Sequence, residues 1–172
     1  MASRAVVFVC LCLVSPTLSG CKKQFPATED GAKAMLGEFL KPGADYLALT
    51  MQLKPRSSDY RAVFASEELA KKTETAYATL WEMVKKSPIK PKPGQTELLL
   101  WSATTEQLKA RTGNSKKFPG GYKRAVEHIK PGLTIYRWKF VRPGKRLGMA
   151  FDGLYNIDGR WVFMPKPWRV LR

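Results

Sequence analysis

From Leu133 to Met164 apolar and polar residues alternate, broken only at Pro143-Gly144 and Asp158-Gly159. Successive side chains of a strand point to opposite faces, so the pattern predicts three strands: Leu133 to Val141, Leu147 to Ile157 and Arg160 to Met164. Asp-Gly between alternating runs is a strong signal for a two-residue hairpin, and Pro143-Gly144 is expected to turn the chain as tightly. Strands joined this closely run antiparallel, because a parallel pair needs a long crossover. The C-terminal third is therefore expected to be a β-meander, and the rest of the chain must cover it.

With two residues in each turn, directly paired positions share a face. Tyr136, Trp138 and Phe140 would then join Leu147, Met149, Phe151, Tyr155, Val162 and Met164 on the core face. Arg137, Lys139, Gly148, Ala150, Asp152, Asn156, Trp161 and Phe163 would form the other face. There Arg137, Asp152 and Trp161 are the candidates for lining a shallow pocket, and a plain outer face with Arg137 paired to Asp152 is the simpler arrangement.

Upstream the period changes. Thr28-Glu29-Asp30 offers a cap and two acids, and Met35, Leu36, Phe39 and Leu40 follow at helical spacing as far as Lys41-Pro42-Gly43. Asp45 to Leu53 is ambiguous: Leu47, Leu49, Met51 and Leu53 alternate like a strand, but neighbouring helical segments and the lack of a β-branched aliphatic residue favour a helix. Ser57-Ser58-Asp59 caps a short helical turn. Ser66-Glu67-Glu68 opens the clearest helix, running to about Lys86 with Leu69, Thr73, Ala76, Tyr77, Leu80, Trp81 and Val84 on one side. The connector from Ser87 to Gly94 is rich in proline and lysine and is expected to be extended and solvated. Thr96 to Ala103 is expected to be a strand, and Thr104-Thr105-Glu106-Gln107 a capping box for a short helix. A glycine-rich loop over 113–121 precedes another short helix carrying Tyr122, Ala125, Val126 and Ile129.

Helices followed by a meander give an α+β class, with N-terminal helices packed on one face of an antiparallel sheet. The order of elements, together with a last strand reading Asp158-Gly159-Arg160-Trp161-Val162-Phe163, resembles the cone-shaped NTF2-like fold. That resemblance implies a cavity between sheet and helices, and with it a small-ligand-binding or hydrolytic protein.

The first residues carry an address. Met1 to Arg4 is a short positive start, Ala5 to Val14 an apolar run, and Leu18-Ser19-Gly20-Cys21 closes the segment. These are the parts of a secretory signal. Ten apolar residues reach only about 15 Å as a helix, half the hydrocarbon core of a bilayer. Leu-Ser-Gly-Cys resembles the lipobox of bacterial lipoproteins. The resemblance implies cleavage between Gly20 and Cys21, acylation of the Cys21 sulfur, and a protein held to a membrane by two or three acyl chains, palmitate among them. Lys22, in place of the aspartate that favours inner-membrane retention in that family, implies the outer membrane in a Gram-negative cell. The chain then divides into a signal peptide (1–20), a lipidated cysteine with a short tether (21–27) and one basic domain (28–172). Cys10 and Cys12 leave with the signal, so the domain has neither free thiol nor disulfide.

Charge is the remaining constraint. The chain carries 30 Lys and Arg against 14 acids, a formal net charge of +16. Residues 21–106 hold 13 basic and 11 acidic side chains, whereas residues 107–172 hold 16 basic ones and only Glu127, Asp152 and Asp158. So uneven a molecule attracts anionic partners: phospholipid headgroups, an envelope polymer or an acidic protein. Lys116, Lys117, Lys123, Arg124, Arg142, Lys145 and Arg146 are the expected contacts. Basic residues interleaved with aromatics over 136–140 superficially suit nucleic acid, but strand alternation explains them and export argues against that partner. His128 is the only histidine and is expected at the surface. No nucleophile frame, nucleotide fingerprint or metal-ligand set accompanies it, so neither catalysis nor a metal or other cofactor is expected. Pro165-Lys166-Pro167 ends the meander and leaves Trp168 in a tail expected to fold back on the core.

Overall fold

Three of the first four helices begin at a side-chain cap. In the third, Ser57–Val63, Arg56 holds the cap position and the expected cap Ser57 lies inside the helix, where Asp59 Oδ2 accepts from Arg56 N at 2.7 Å. Thr28 Oγ1 accepts from Gly31 N at 3.1 Å to open α1 (Glu29–Gly37), and Asp45 Oδ1 from Ala48 N at 2.9 Å to open α2 (Tyr46–Gln52). Such caps satisfy backbone donors that have no partner within the helix. Next come α3 (Ser57–Val63) and α4 (Glu67–Val84), whose Ser66 cap accepts from Leu69 N at 3.2 Å. Helix α4 buries Ala70, Thr73, Tyr77 and Trp81, one face at spacings of three and four. The computed structural model describes residues 24–171, so Gly20, Cys21 and the whole leading segment lie outside the described residues.

The connector after α4 departs from expectation. Ile89 and Pro91 are buried, because Ile89 N donates to the buried Thr50 Oγ1 at 3.0 Å and Lys90 lies over the Tyr46 ring. Helix α2 thus draws the proline-lysine stretch inward. Beyond it lie β1 (Glu97–Thr104), α5 (Thr105–Ala110), α6 (Tyr122–Ala125), β2 (Thr134–Val141), β3 (Gly148–Ile157) and β4 (Arg160–Phe163). Short 3-10 turns occupy Glu38–Leu40, Gly113–Lys117, Val126–His128 and Pro167–Arg169. The fold is α+β.

The four strands form one antiparallel sheet in the order β1-β2-β3-β4. Two features correct the expected register. Arg142 to Leu147 form a six-residue connection rather than a two-residue turn at Pro143-Gly144, and Val141 pairs with Gly148. The slip is even, so Trp138 still faces the same way as Phe151, and Phe140 as Met149. The second correction reverses a face. Arg137 pairs with Asp152 but Tyr136 with Leu154, leaving Gly153 as a bulge. Tyr155 and Val162 therefore move to the Arg137–Asp152 side, while Asn156, Trp161 and Phe163 join Tyr136 and Trp138. Ring contacts agree: Tyr136 meets Trp161 at 5.2 Å and Trp138 meets Phe163 at 5.2 Å. Glycine is required at the bulge, since its φ is +91° and an added Cβ would lie 2.1 Å from Met164 O.

Packing reaches both faces of the sheet. Phe39, just after α1, meets Phe140 at 6.1 Å on one side. On the other, Tyr122 of α6 reaches Asp152, and Tyr77 of α4 bonds Pro165 O at 2.7 Å. Asp158 and Gly159 form the tight turn expected, both at positive φ (48° and 77°). That turn lies at the Thr104–Thr134 end of the sheet, and the 142–147 connection lies at the opposite end. The incoming chain is pinned at the first of these ends, where Trp161 Nε1 donates to Phe25 O at 3.2 Å.

Candidate functional site

The site is assembled by the stretch between β1 and β2. Thr104 and Gln107 cap α5 reciprocally, Gln107 N to Thr104 Oγ1 at 3.2 Å and Thr104 N to Gln107 Oε1 at 3.0 Å. The helix ends at Arg111 in the left-handed conformation, φ 62°, so the chain turns sharply into Gly113–Lys117. Asn114 Nδ2 fastens that turn to Ser102 O of β1 at 3.1 Å. Pro119, Gly120 and Gly121 then lead into α6. Gly121 lies directly beneath Trp168, where an added Cβ would come within 2.3 Å of the indole.

Tyr122 is the pivot of the site. Its ring meets Phe118 at 5.4 Å and Trp168 at 5.0 Å, both edge-on, and its hydroxyl donates to Asp152 Oδ1 at 3.2 Å. Two cavities flank it. The smaller, about 270 Å³, is lined by Arg111, Ser115, Lys116, Phe118, Tyr122 and Lys123 among others. The larger, about 630 Å³, lies between Lys123, Arg124 and His128 on one side and Trp168 and Leu171 on the other. Lys123 borders both. Arg111, Lys116, Lys117, Lys123 and Arg124 have no acidic partner within 4 Å among the described residues, whereas the nearby Lys109 is paired with Glu127 at 2.9 Å. Four of these cations line the two concavities and Lys117 adjoins Lys116, creating a local positive field, although Glu127, paired with Lys109, also lines the larger.

The expected anion contacts fall into two groups. Lys116, Lys117, Lys123 and Arg124 belong to this lobe. Arg142, Lys145 and Arg146 occupy the connection at the opposite end of the sheet, beyond Val141, which lies about 16 Å along β2 from Tyr136, the partner of Ser102 that holds the 113–117 turn. The expected pocket of Arg137, Asp152 and Trp161 does not form, because the Gly153 bulge puts Trp161 on the opposite face. Arg137 and Asp152 are cross-strand neighbours without an ion pair within 4 Å, and Arg137 Nε has no partner. Burial raises the Asp152 pKa above the ordinary carboxylate value, opposed by bonds from Lys166 N–H and the Tyr122 hydroxyl and by the charge of Arg137. Asp152 lines neither cavity.

His128 is half-buried rather than fully at the surface, and its carbonyl accepts from Ala65 N at 2.9 Å. Trp168 folds back as expected. Arg111 and Ser115 were not legible as site residues, since only the left-handed turn after α5 brings them to Lys123. Among the described residues no three of His, Cys, Asp and Glu gather as metal ligands, and no helix is long and apolar enough to cross a membrane. No family model, no curated protein and no solved structure matches this chain.

Proposed function

We propose that the protein is a non-enzymatic lipoprotein, anchored to a membrane through acylated Cys21, whose basic α+β domain binds an anionic component of the cell envelope. The observation that carries this reading is the cluster of unpaired cations at 111–124. Lysine or arginine near an anionic surface contributes about 1 kcal/mol each, decaying over a Debye length of about 8 Å. The tether adds to the case. Phe25 is held by Trp161, so only Lys22, Lys23 and Gln24 separate the fold from Cys21, a reach of about 10 Å. Such a leash keeps the Gly159 end of the sheet against the bilayer. The turn at 113–117 is fastened to β1 at that same end, while Arg142, Lys145 and Arg146 face away.

Co-sedimentation of the purified chain with anionic and zwitterionic vesicles tests the reading. Binding to the anionic vesicles should collapse as salt rises to physiological strength. Replacing Lys116, Lys117, Lys123 and Arg124 together by glutamine should weaken binding roughly tenfold or more. The same change at Arg142, Lys145 and Arg146 should weaken it far less. Absent or salt-insensitive binding, or equal losses from the two sets, would overturn the proposal.

A further inference from the structure

The smaller cavity has features that a merely positive surface does not need. Arg111, Lys116 and Lys123 converge on it from three separate segments, and no acidic side chain lines it. Ser115 also lines it, and the Ser115 hydroxyl oxygen is shielded from solvent without any hydrogen-bond partner. A shielded hydroxyl without a partner is uncommon and calls for a cause. The floor is aromatic and fixed, because Phe118 and Tyr122 are buried and packed against one another.

We propose that this cavity is a binding site for a phosphate monoester, with Arg111, Lys116 and Lys123 neutralising the phosphoryl oxygens and Ser115 donating one hydrogen bond. The assignment rests on the anionic-ligand reading above and names the ligand class. A phosphate monoester carries nearly two negative charges and three acceptor oxygens, which match three cations and a hydroxyl better than a singly charged carboxylate does. The arginine offers a planar fork and the lysines act as mobile point charges. Size limits the organic part. At about 270 Å³ the cavity is smaller than pockets that enclose drug-sized ligands, so it takes a headgroup rather than a nucleotide. The rings of Phe118 and Tyr122 are buried and give stacked bases no platform. The phosphate could belong to a soluble ester or to a lipid headgroup.

Titration of the full purified chain with glycerol phosphate at physiological salt, followed by phosphorus NMR, tests the soluble source. Vesicles containing phosphatidic acid, compared with phosphatidylserine vesicles of equal surface charge, test the lipid source. Binding in at least one arm is expected. In that arm Lys123→Gln should weaken binding about tenfold and Ser115→Ala about fivefold. Arg146→Gln, which removes the same charge at the far end of the sheet, should leave binding within twofold of the unaltered chain. Ser115→Ala changes no charge, so its effect separates a built site from general attraction. The proposal is overturned by no binding in either arm, by an unchanged Ser115→Ala, or by equal losses from Lys123→Gln and Arg146→Gln. Binding to both vesicle types with equal strength, and none to glycerol phosphate, would overturn the phosphate site while leaving the broader anionic reading intact.

Discussion

Two aspartates are buried to the same degree, Asp59 at 4% exposure and Asp152 at 5%, yet they meet opposite surroundings. Asp59 sits at the start of α3, where Oδ2 accepts from Arg56 N and from Arg160 Nη1, each at 2.7 Å. Asp152 sits within the sheet among tyrosines. It receives only the Tyr122 hydroxyl and a long 3.4 Å bond from Lys166 N, and has no cation within ion-pair distance. One acid is a fastener between the helical layer and β4. The other is a carboxyl whose charge the fold supports poorly, placed one residue before the Gly153 bulge that reverses the faces of β3. Partners, not depth, decide what a buried charge does.

The bulge offers the largest test of that contrast. Gly153→Ala forces a side chain into positive φ and against the Met164 carbonyl, and should cost roughly 3–4 kcal/mol in chemical denaturation. An unchanged midpoint would mean that the bulge does not hold Asp152 in place. Asp59→Ala comes next. Removing one member of a buried pair strands the other, and a loss of about 2 kcal/mol is expected, moderated because Arg160 is 30% exposed. A double-mutant cycle with Arg160→Ala should show strong coupling, and additive losses would mean that the two side chains act independently.

Asp152→Asn should have the smallest effect, with the opposite sign. Both recorded bonds fall on Oδ1, which asparagine retains. The folded carboxyl titrates above its unfolded value, so the unfolded chain releases its proton first as pH rises. Native stability from this group is therefore greatest below the unfolded value and declines as pH climbs through the folded one. The variant lacks that decline. Its melting temperature should match the unaltered chain in acid and exceed it at neutral pH. A variant less stable at neutral pH would show that the charge of Asp152 is supported after all.

Much of this architecture could be read from residues alone, because local rules and packing agree. Thr28, Ser66 and the Thr104–Gln107 pair cap helices where their chemistry says they should, and Asp158-Gly159 turns as its dihedral needs dictate, whereas Ser57 lies inside its helix and the Asp45 cap was not foreseen. The face reversal was harder to see. Phe151 to Tyr155 alternates plausibly, and the sole warning was a glycine inside a strand, the residue type that often marks a bulge. Pro143-Gly144 misled in a milder way. The true connection is longer by an even number of residues, so side chains kept their faces while Leu147 became exposed. Four of the five clustered cations stood out from charge counting. Arg111 and Ser115 did not, since their approach depends on a left-handed residue ending α5, which tertiary packing rather than local preference imposes.

The bond from Trp161 to Phe25 also has a mechanical side. Any pull transmitted through the leading segment enters the fold at β4, a four-residue edge strand held by Leu154 to Ile157 and by the Phe163–Leu53 contact. Under load that short ladder would yield before the longer pairing of β1 with β2, so the first part of the domain to loosen would be the strand that holds Phe25.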